Sequence, residues 1–226
     1  MTDRPILFSG PMVRAIIDGR KTQTRRPMKT PPTVPFSTVC RDAAGMFTGD
    51  EWGNELERLN VPHAPGDCLW VRESVWINGR WISTEDETGE RGSRWVATKH
   101  IRRMADDQMP IGCGGMVWRS IPSIHMPRWA SRLTLIVTDV RVQRLREISE
   151  EDAIAEGVRV LALQSPDDPT AWWEVEPGRC QARSPIAIYA SLWDACYGSG
   201  AWEANPWVVA TTFTVHHLNI DKMREE

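Results

Sequence analysis

Hydrophobic residues first recur at helical spacing near the N-terminus, where Met12, Val13, Ile16 and Ile17 share one stripe. Ser9 or Gly10 can cap this helix, Pro11 suits its first position, and Gly19 suits a left-handed exit. The next segment, Lys21-Thr22-Gln23-Thr24-Arg25-Arg26, is polar with threonine at alternate positions, and it reads as a strand leaving the helix. Periodicity then disappears. From 27 to 65 the prolines and glycines predict a long loop or insertion, closed by the turn signal Pro65-Gly66-Asp67 and a strand over 68–73.

Residues 78–117 read as a second insertion. It reads as a Gly-rich, charged hairpin carrying Trp76, Trp81 and Trp95, then a polar segment ending in Gly112-Cys113-Gly114-Gly115. A long strand over 133–145 follows, in which Leu133, Leu135 and Val137 alternate with Thr134, Ile136 and Thr138. Ser149-Glu150-Glu151-Asp152 starts a short helix that Gly157 closes. After a loop through Ser165-Pro166-Asp167-Asp168-Pro169, Ser184-Pro185 opens another helix with Ile188, Leu192 and Cys196 on one face, Tyr189 and Trp193 beside it, and Gly198 at its end. The last strand, 207–217, alternates Val209, Phe213 and Val215 with Ala210, Thr212 and Thr214. This order lacks regular β-α-β alternation, so the expectation is an α+β fold with a small, mostly antiparallel or mixed β-barrel and flanking helices. It is expected as one domain over 1–226, with insertions near 28–62, 78–117 and 158–183.

Composition narrows the function classes. The chain has 226 residues, 41% hydrophobic and 25% charged, which is ordinary globular usage and outside the range of disorder. A net charge of −3 argues against a uniformly basic architectural DNA binder, although Arg14, Arg20, Lys21, Arg25, Arg26 and Lys29 make a local basic run against the single acid Asp18. That run reads either as a solvated surface or as a functional face. The five cysteines form no C-x-x-C pair and read as reduced thiols. His63, His100, His125, His216 and His217 are scattered, and the adjacent pair points to opposite faces of a strand, so no metal and no cofactor are expected. With no long apolar segment, the expectation is a soluble cytoplasmic protein without a membrane partner. Twelve tryptophans against 4 Phe and 2 Tyr raise the question of an aromatic binding surface.

No phosphate-binding glycine loop, zinc-protease helix or nucleophile elbow occurs. Three segments do stand out together: Gly19-Arg20-Lys21-Thr22-Gln23-Thr24-Arg25-Arg26 after the first helix, Pro65-Gly66-Asp67 before a strand, and Ile148-Ser149-Glu150-Glu151-Asp152-Ala153-Ile154-Ala155-Glu156-Gly157 after the long strand. This pattern resembles the ASCH family of the PUA-like superfamily, especially its longer phage and prophage versions, over about half of the chain. The resemblance implies a cleft for a nucleoside or single-stranded nucleic acid, and a bacterial cytoplasmic setting. It also implies similarity to small bacterial amidohydrolases acting on N4-acetylcytidine, whose catalytic lysine, threonine and glutamate fall here on Lys21, Thr24 and Glu156.

Amide deacylation needs a nucleophile, a base and an acid. A lysine serves as base when burial or nearby cations lower its pKa, and Arg20, Arg25 and Arg26 stand close in sequence to Lys21. Glu156 lies in the last helical turn, where the dipole disfavours an anion. On a regular strand Lys21 and Thr24 would face opposite sides, so convergence requires an irregular helix exit or a bulge. Arg26 joins the same basic segment. A second surface is formed by Trp70, Arg72 and Glu73 with Arg128 and Trp129: these residues either cradle phosphate and stack a base, or pack in the core and pair internally. The leading expectation is an amidohydrolase on N4-acylated cytidine. The alternatives are a non-catalytic RNA- or DNA-binding module of phage origin and a ribonuclease.

Overall fold

The computed structural model describes residues 2–33, 38–42, 45–49, 55–85, 91–106, 108, 110–112, 114–160, 173–174 and 182–224. Along the chain run β1 (Asp3–Leu7), α1 (Gly10–Ile17), β2 (Gln23–Pro27), β3 (Thr38–Asp42), β4 (Gly45–Gly49), β5 (Glu55–Leu59), β6 (Cys68–Arg72) and β7 (Val75–Glu85). Then follow β8 (Arg91–Arg103), β9 (Val117–Ile121), β10 (Thr134–Arg144), α2 (Glu150–Ala155), β11 (Arg159–Val160), β12 (Trp173–Glu174), α3 (Pro185–Tyr197) and β13 (Trp207–His216). Strands dominate and helices are few, an α+β fold. Among the described residues the strand orders stay open and no closed barrel forms. The chain divides into two compact units, each built from separated segments: 1–2, 15–68 and 135–215 in the first, 3–14, 69–134 and 216–226 in the second.

In the first unit β10, β13 and β2 follow one another in the sheet. β13 and β2 pair antiparallel, from Val208 opposite Pro27 to Thr212 opposite Gln23. Val208, Val209, Ala210 and Thr211 are all buried, so both faces of β13 are covered along this stretch. α2 and α3 pack with β13 around Leu145, Ile148, Ala153, Ile188, Tyr189, Trp193 and Val208. The Ser149 side chain caps α2 by accepting from the Asp152 backbone N–H, and Gly198 closes α3 at φ 103°. The stretch 27–65, expected as a loop, contains the antiparallel meander β3-β4-β5. None of its three strands contains a proline, so the prolines flank the strands without interrupting them.

In the second unit β1 neighbours β6, the Phe8 N–H donates to the Arg72 carbonyl at 3.1 Å, and β7 is the centre of the antiparallel sheet β8-β7-β9. Val75, Ile77, Met126 and Ala130 form its core, with Trp95, Ile101 and Ile121 packed against them. Gly79 of β7 leaves room for the Trp95 indole, since a Cβ there would stand 2.4 Å from the ring. The last segment ties back to the middle of the chain. Asn219 Nδ2 donates to the carbonyls of Arg128 and Ser131 at 3.0 and 2.8 Å, and the Arg128 guanidinium bridges Asp3 and Asp221 at 2.7 and 2.8 Å.

No described helix is long and apolar enough to cross a membrane. Neither the buried Cys68 nor the exposed Cys196 is in a disulfide. Cys113, Cys180 and the expected loop over 165–169 lie outside the described residues.

Candidate functional site

Lys21 sits at the joint between α1 and β2, and the backbone there is stitched to the end of α2. Both Arg20 and Lys21 donate their N–H to the Ala15 carbonyl at 2.9 Å, which turns the chain out of the helix. Lys21 then forms an isolated antiparallel bridge with Glu156, and the Thr22 N–H reaches the Ala155 carbonyl at 2.9 Å. The irregular exit expected at Lys21 is therefore present, made by a bridge to α2. Gly157 makes the approach possible: its φ is +104°, and a Cβ would stand 3.2 Å from that of Ala15 and 3.3 Å from that of Lys21.

The side chains complete this joint. Lys21 is 1% exposed and Glu156 5%. Lys21 Nζ donates to Glu156 Oε2 at 2.6 Å and to the Glu156 carbonyl at 2.9 Å. Arg25 reaches Glu156 Oε1 at 3.2 Å and Asp152 Oδ2 at 2.6 Å, and its guanidinium also donates to Gln23 Oε1. Gln23 Nε2 returns a bond to Asp152 Oδ1 at 3.1 Å, and Arg141 closes the outer side of Asp152 at 2.8 Å. Two carboxylates, Asp152 of α2 and Glu156 at its C-terminal cap, thus meet three side chains, Lys21, Gln23 and Arg25, spaced two apart along the chain.

Burial holds the Lys21 amine below its ordinary value; Glu156 opposes that shift, and the charges of Arg26 and Arg25 add to it. Burial pushes the Asp152 carboxyl up, but the hydrogen bond from Arg141, the Arg25 charge and the bond from Gln23 outweigh it and hold the group below the usual carboxylate range. Tyr189, buried in the same unit, is raised well above the ordinary phenol by burial and by the Glu156 charge.

The structure brings Lys21 and Glu156 together. Thr24 is buried on β2 opposite Thr211, and strand alternation sets it on the face away from Gln23 and Arg25. Arg26 is half-buried on the same strand. Trp70, Arg72, Glu73, Arg128 and Trp129 all belong to the second unit. Trp70 is 8% exposed, a core residue, with the Arg72 guanidinium 5.1 Å from its ring centroid. Arg72 donates to the carbonyls of Ile124 and Met126. Glu73 is buried and gripped by Arg132 at 2.8 and 3.0 Å, with Arg103 at 3.7 Å. Arg128 is paired with two aspartates, and Trp129 is exposed. For Trp70, Arg72, Glu73 and Arg128, core packing and internal pairing describe what the structure contains.

Gln23, Asp152, Arg141 and Tyr189 belong to this neighbourhood although motif reading did not nominate them. Two signals were present: the i, i+4 spacing of Asp152 and Glu156, and the period-two run Lys21, Gln23, Arg25. Among the described residues no group of three or more His, Cys, Asp or Glu gathers as a metal-ligand set. No family model, curated protein or solved structure matches the chain. What the cluster offers chemically is a desolvated amine beside a buried carboxylate, a pair able to exchange a proton over 2.6 Å.

Proposed function

We propose that this chain is an ASCH-type hydrolase that removes the acyl group from an N4-acylated cytosine nucleoside, with Lys21 and Glu156 moving the protons. The observation that carries this reading is the 2.6 Å contact between the two buried groups, which are two of the three positions the motif resemblance nominates. Lys21 passes a proton to Glu156 across their 2.6 Å contact and then accepts the proton of the attacking oxygen. That oxygen bonds to the acyl carbon, the C–N4 bond breaks, and Glu156 supplies a proton to the departing amine. Arg25, anchored by Asp152 and Gln23, fixes the orientation of Glu156. In this reading the protein is of phage or prophage origin and works in the bacterial cytoplasm.

A second reading draws on one specific observation, the near-complete burial of Lys21 and Glu156. A pair closed to solvent can instead pin α1, β2 and α2 together in a non-catalytic nucleic-acid-binding module.

One experiment separates the two. The protein is incubated with N4-acetylcytidine and, separately, with labelled RNA, and products are resolved by chromatography. Release of cytidine and acetate by the wild type, lost in Lys21→Met and Glu156→Gln, supports the hydrolase. Absence of turnover with folded protein removes it and leaves the binding module, and shortened RNA would point to a ribonuclease. Thr24→Ala identifies the attacking oxygen: retained turnover assigns it to water, and loss with a normal melting curve assigns it to the threonine hydroxyl.

A further inference from the structure

Glu156 stands between two cations. Lys21 Nζ lies 2.6 Å from its Oε2, and Arg25 Nη1 lies 3.2 Å from its Oε1. A guanidinium at that distance favours the ionised carboxylate, and so opposes transfer of the Lys21 proton to Glu156. Proton exchange within the pair therefore depends on a negative charge that offsets Arg25. Asp152 places one there. Its Oδ2 takes the Arg25 guanidinium at 2.6 Å, a closer contact than Arg25 makes with Glu156. Among the described residues, Asp152 is the anion other than Glu156 that contacts Arg25.

Asp152 is also the least buried of these four charged groups, and its other oxygen is shared. Oδ1 accepts from Gln23 at 3.1 Å and from Arg141 of β10 at 2.8 Å. Arg141 is half-exposed and stands 3.6 Å from Asp139 as well. Among the described residues its ion pairs are these two, so it bears on Glu156 through Asp152. Arg26 of β2 adds a further positive charge near Lys21. From α3, Tyr189 and Cys196 face the same neighbourhood, about two turns apart, and both feel the Glu156 charge. Burial raises both groups above their ordinary values, so neither is ionised near neutral pH.

We propose that Asp152 is the charge-balancing residue of this site: it offsets Arg25 so that Glu156 can take the proton of Lys21, and Arg141 moderates it from the surface. Asp152 acts through Arg25 and is a positioning residue. That the exchanged proton serves deacylation rests on the hydrolase reading, whereas the charge balance itself does not.

The test is a pH titration of the full chain by nuclear magnetic resonance with carbon-13 lysine. The lysines are Lys21, Lys29, Lys99 and Lys222, so the Lys21 signal is assigned by its loss in Lys21→Met. Its midpoint reads the protonation of the pair, which titrates as one coupled unit. Removing a negative charge makes the pair harder to protonate, so Asp152→Asn should lower the midpoint by about one pH unit or more. Removing a positive charge acts the other way. Arg141→Gln should raise the midpoint by a smaller amount, about 0.3 unit, and the rise should shrink in about 1 M salt because that side chain is half-exposed. Asp152→Glu keeps the charge and should titrate close to the wild type, with melting curves checking that each variant folds. The pH profile of kcat on N4-acetylcytidine should move in the same directions. An unmoved midpoint in Asp152→Asn, shifts of the same sign in Asp152→Asn and Arg141→Gln, or an Asp152→Glu shift as large as that of Asp152→Asn would overturn the proposal. Should Asp152→Asn fail to fold, Arg141→Gln decides alone, and an unmoved or lowered midpoint overturns it. Shifted midpoints in a wild type that releases no cytidine remove the hydrolase reading and leave the charge balance standing.

Discussion

Lys21 and Glu156 show how much a single buried charge pair constrains its neighbours. Removing one partner leaves the other buried without compensation, a loss of about 3–5 kcal/mol, whereas replacing both by apolar groups is often close to neutral. Glu156→Ala should therefore lower the unfolding free energy by about 3 kcal/mol or more, and Lys21→Met with Glu156→Leu should unfold nearer to the wild type, both read from urea titrations. Two titrations bracket the stability of the first unit. The folded Asp152 carboxyl is held below its ordinary 3.8, so its contribution is complete above about 3.8 and is lost as pH falls through the folded value. Tyr189 acts at the other end: its folded phenol lies well above the ordinary 10.0, so its contribution is complete below that value and drains away at higher pH. Urea midpoints measured across pH should fall less on the acid side in Asp152→Asn and less on the alkaline side in Tyr189→Phe.

At the level of elements, glycine positions carry the sharpest expectations. A methyl at Gly79 meets the Trp95 ring at 2.4 Å and the Val96 carbonyl at 2.5 Å, so Gly79→Ala must push the indole out or part β7 from β8. The expected cost is about 1–3 kcal/mol, visible as a lower melting temperature and a changed tryptophan emission. The helices were legible because their ends are written in local chemistry: Pro11 and Gly19 around α1, Ser149 and Gly157 around α2, Pro185 and Gly198 around α3. β10 and β13 were legible from alternation. β1 was missed because Asp3-Arg4-Pro5 breaks the apolar pattern, which a short strand tolerates. The meander β3-β4-β5 was missed because its short strands, TVCRD, GMFTG and ELERL, carry no clean alternation. Of the candidate site, Lys21 and Glu156 came from a motif. Gln23, Asp152 and Arg141 could be recognised as partners only once β2, α2 and β10 were placed, because their contacts span 11 to 129 residues of sequence.

At the scale of the whole molecule, sequence order and spatial order diverge. Each unit draws on three separated segments, so neither can be cut out as a continuous fragment. Residues 69–134 expressed alone lack β1, Asn219 and Asp221, and they should show no cooperative thermal transition by circular dichroism. Truncation after 216 removes the Asn219 and Asp221 bonds to Arg128 and Ser131 and the carbonyl of Leu218 that accepts from Thr134 Oγ1 at 2.8 Å. It should lower the melting temperature by about 2–4 °C, the shift that a loss of about 1 kcal/mol produces in a chain of this size.

The clasp that Asn219 places on Arg128 and Ser131 also sets a timetable for biosynthesis. Asp3 and Asp221, which share that arginine, are separated by more than two hundred residues of chain. At about 5–20 residues per second the ribosome needs roughly 10 to 40 s to travel between them. Throughout that interval the nascent second unit lacks its closing segment. A product stalled before Asn219 therefore leaves the carbonyls of Arg128 and Ser131 without the amide that binds them, and the middle of the chain is fastened only after that residue is made.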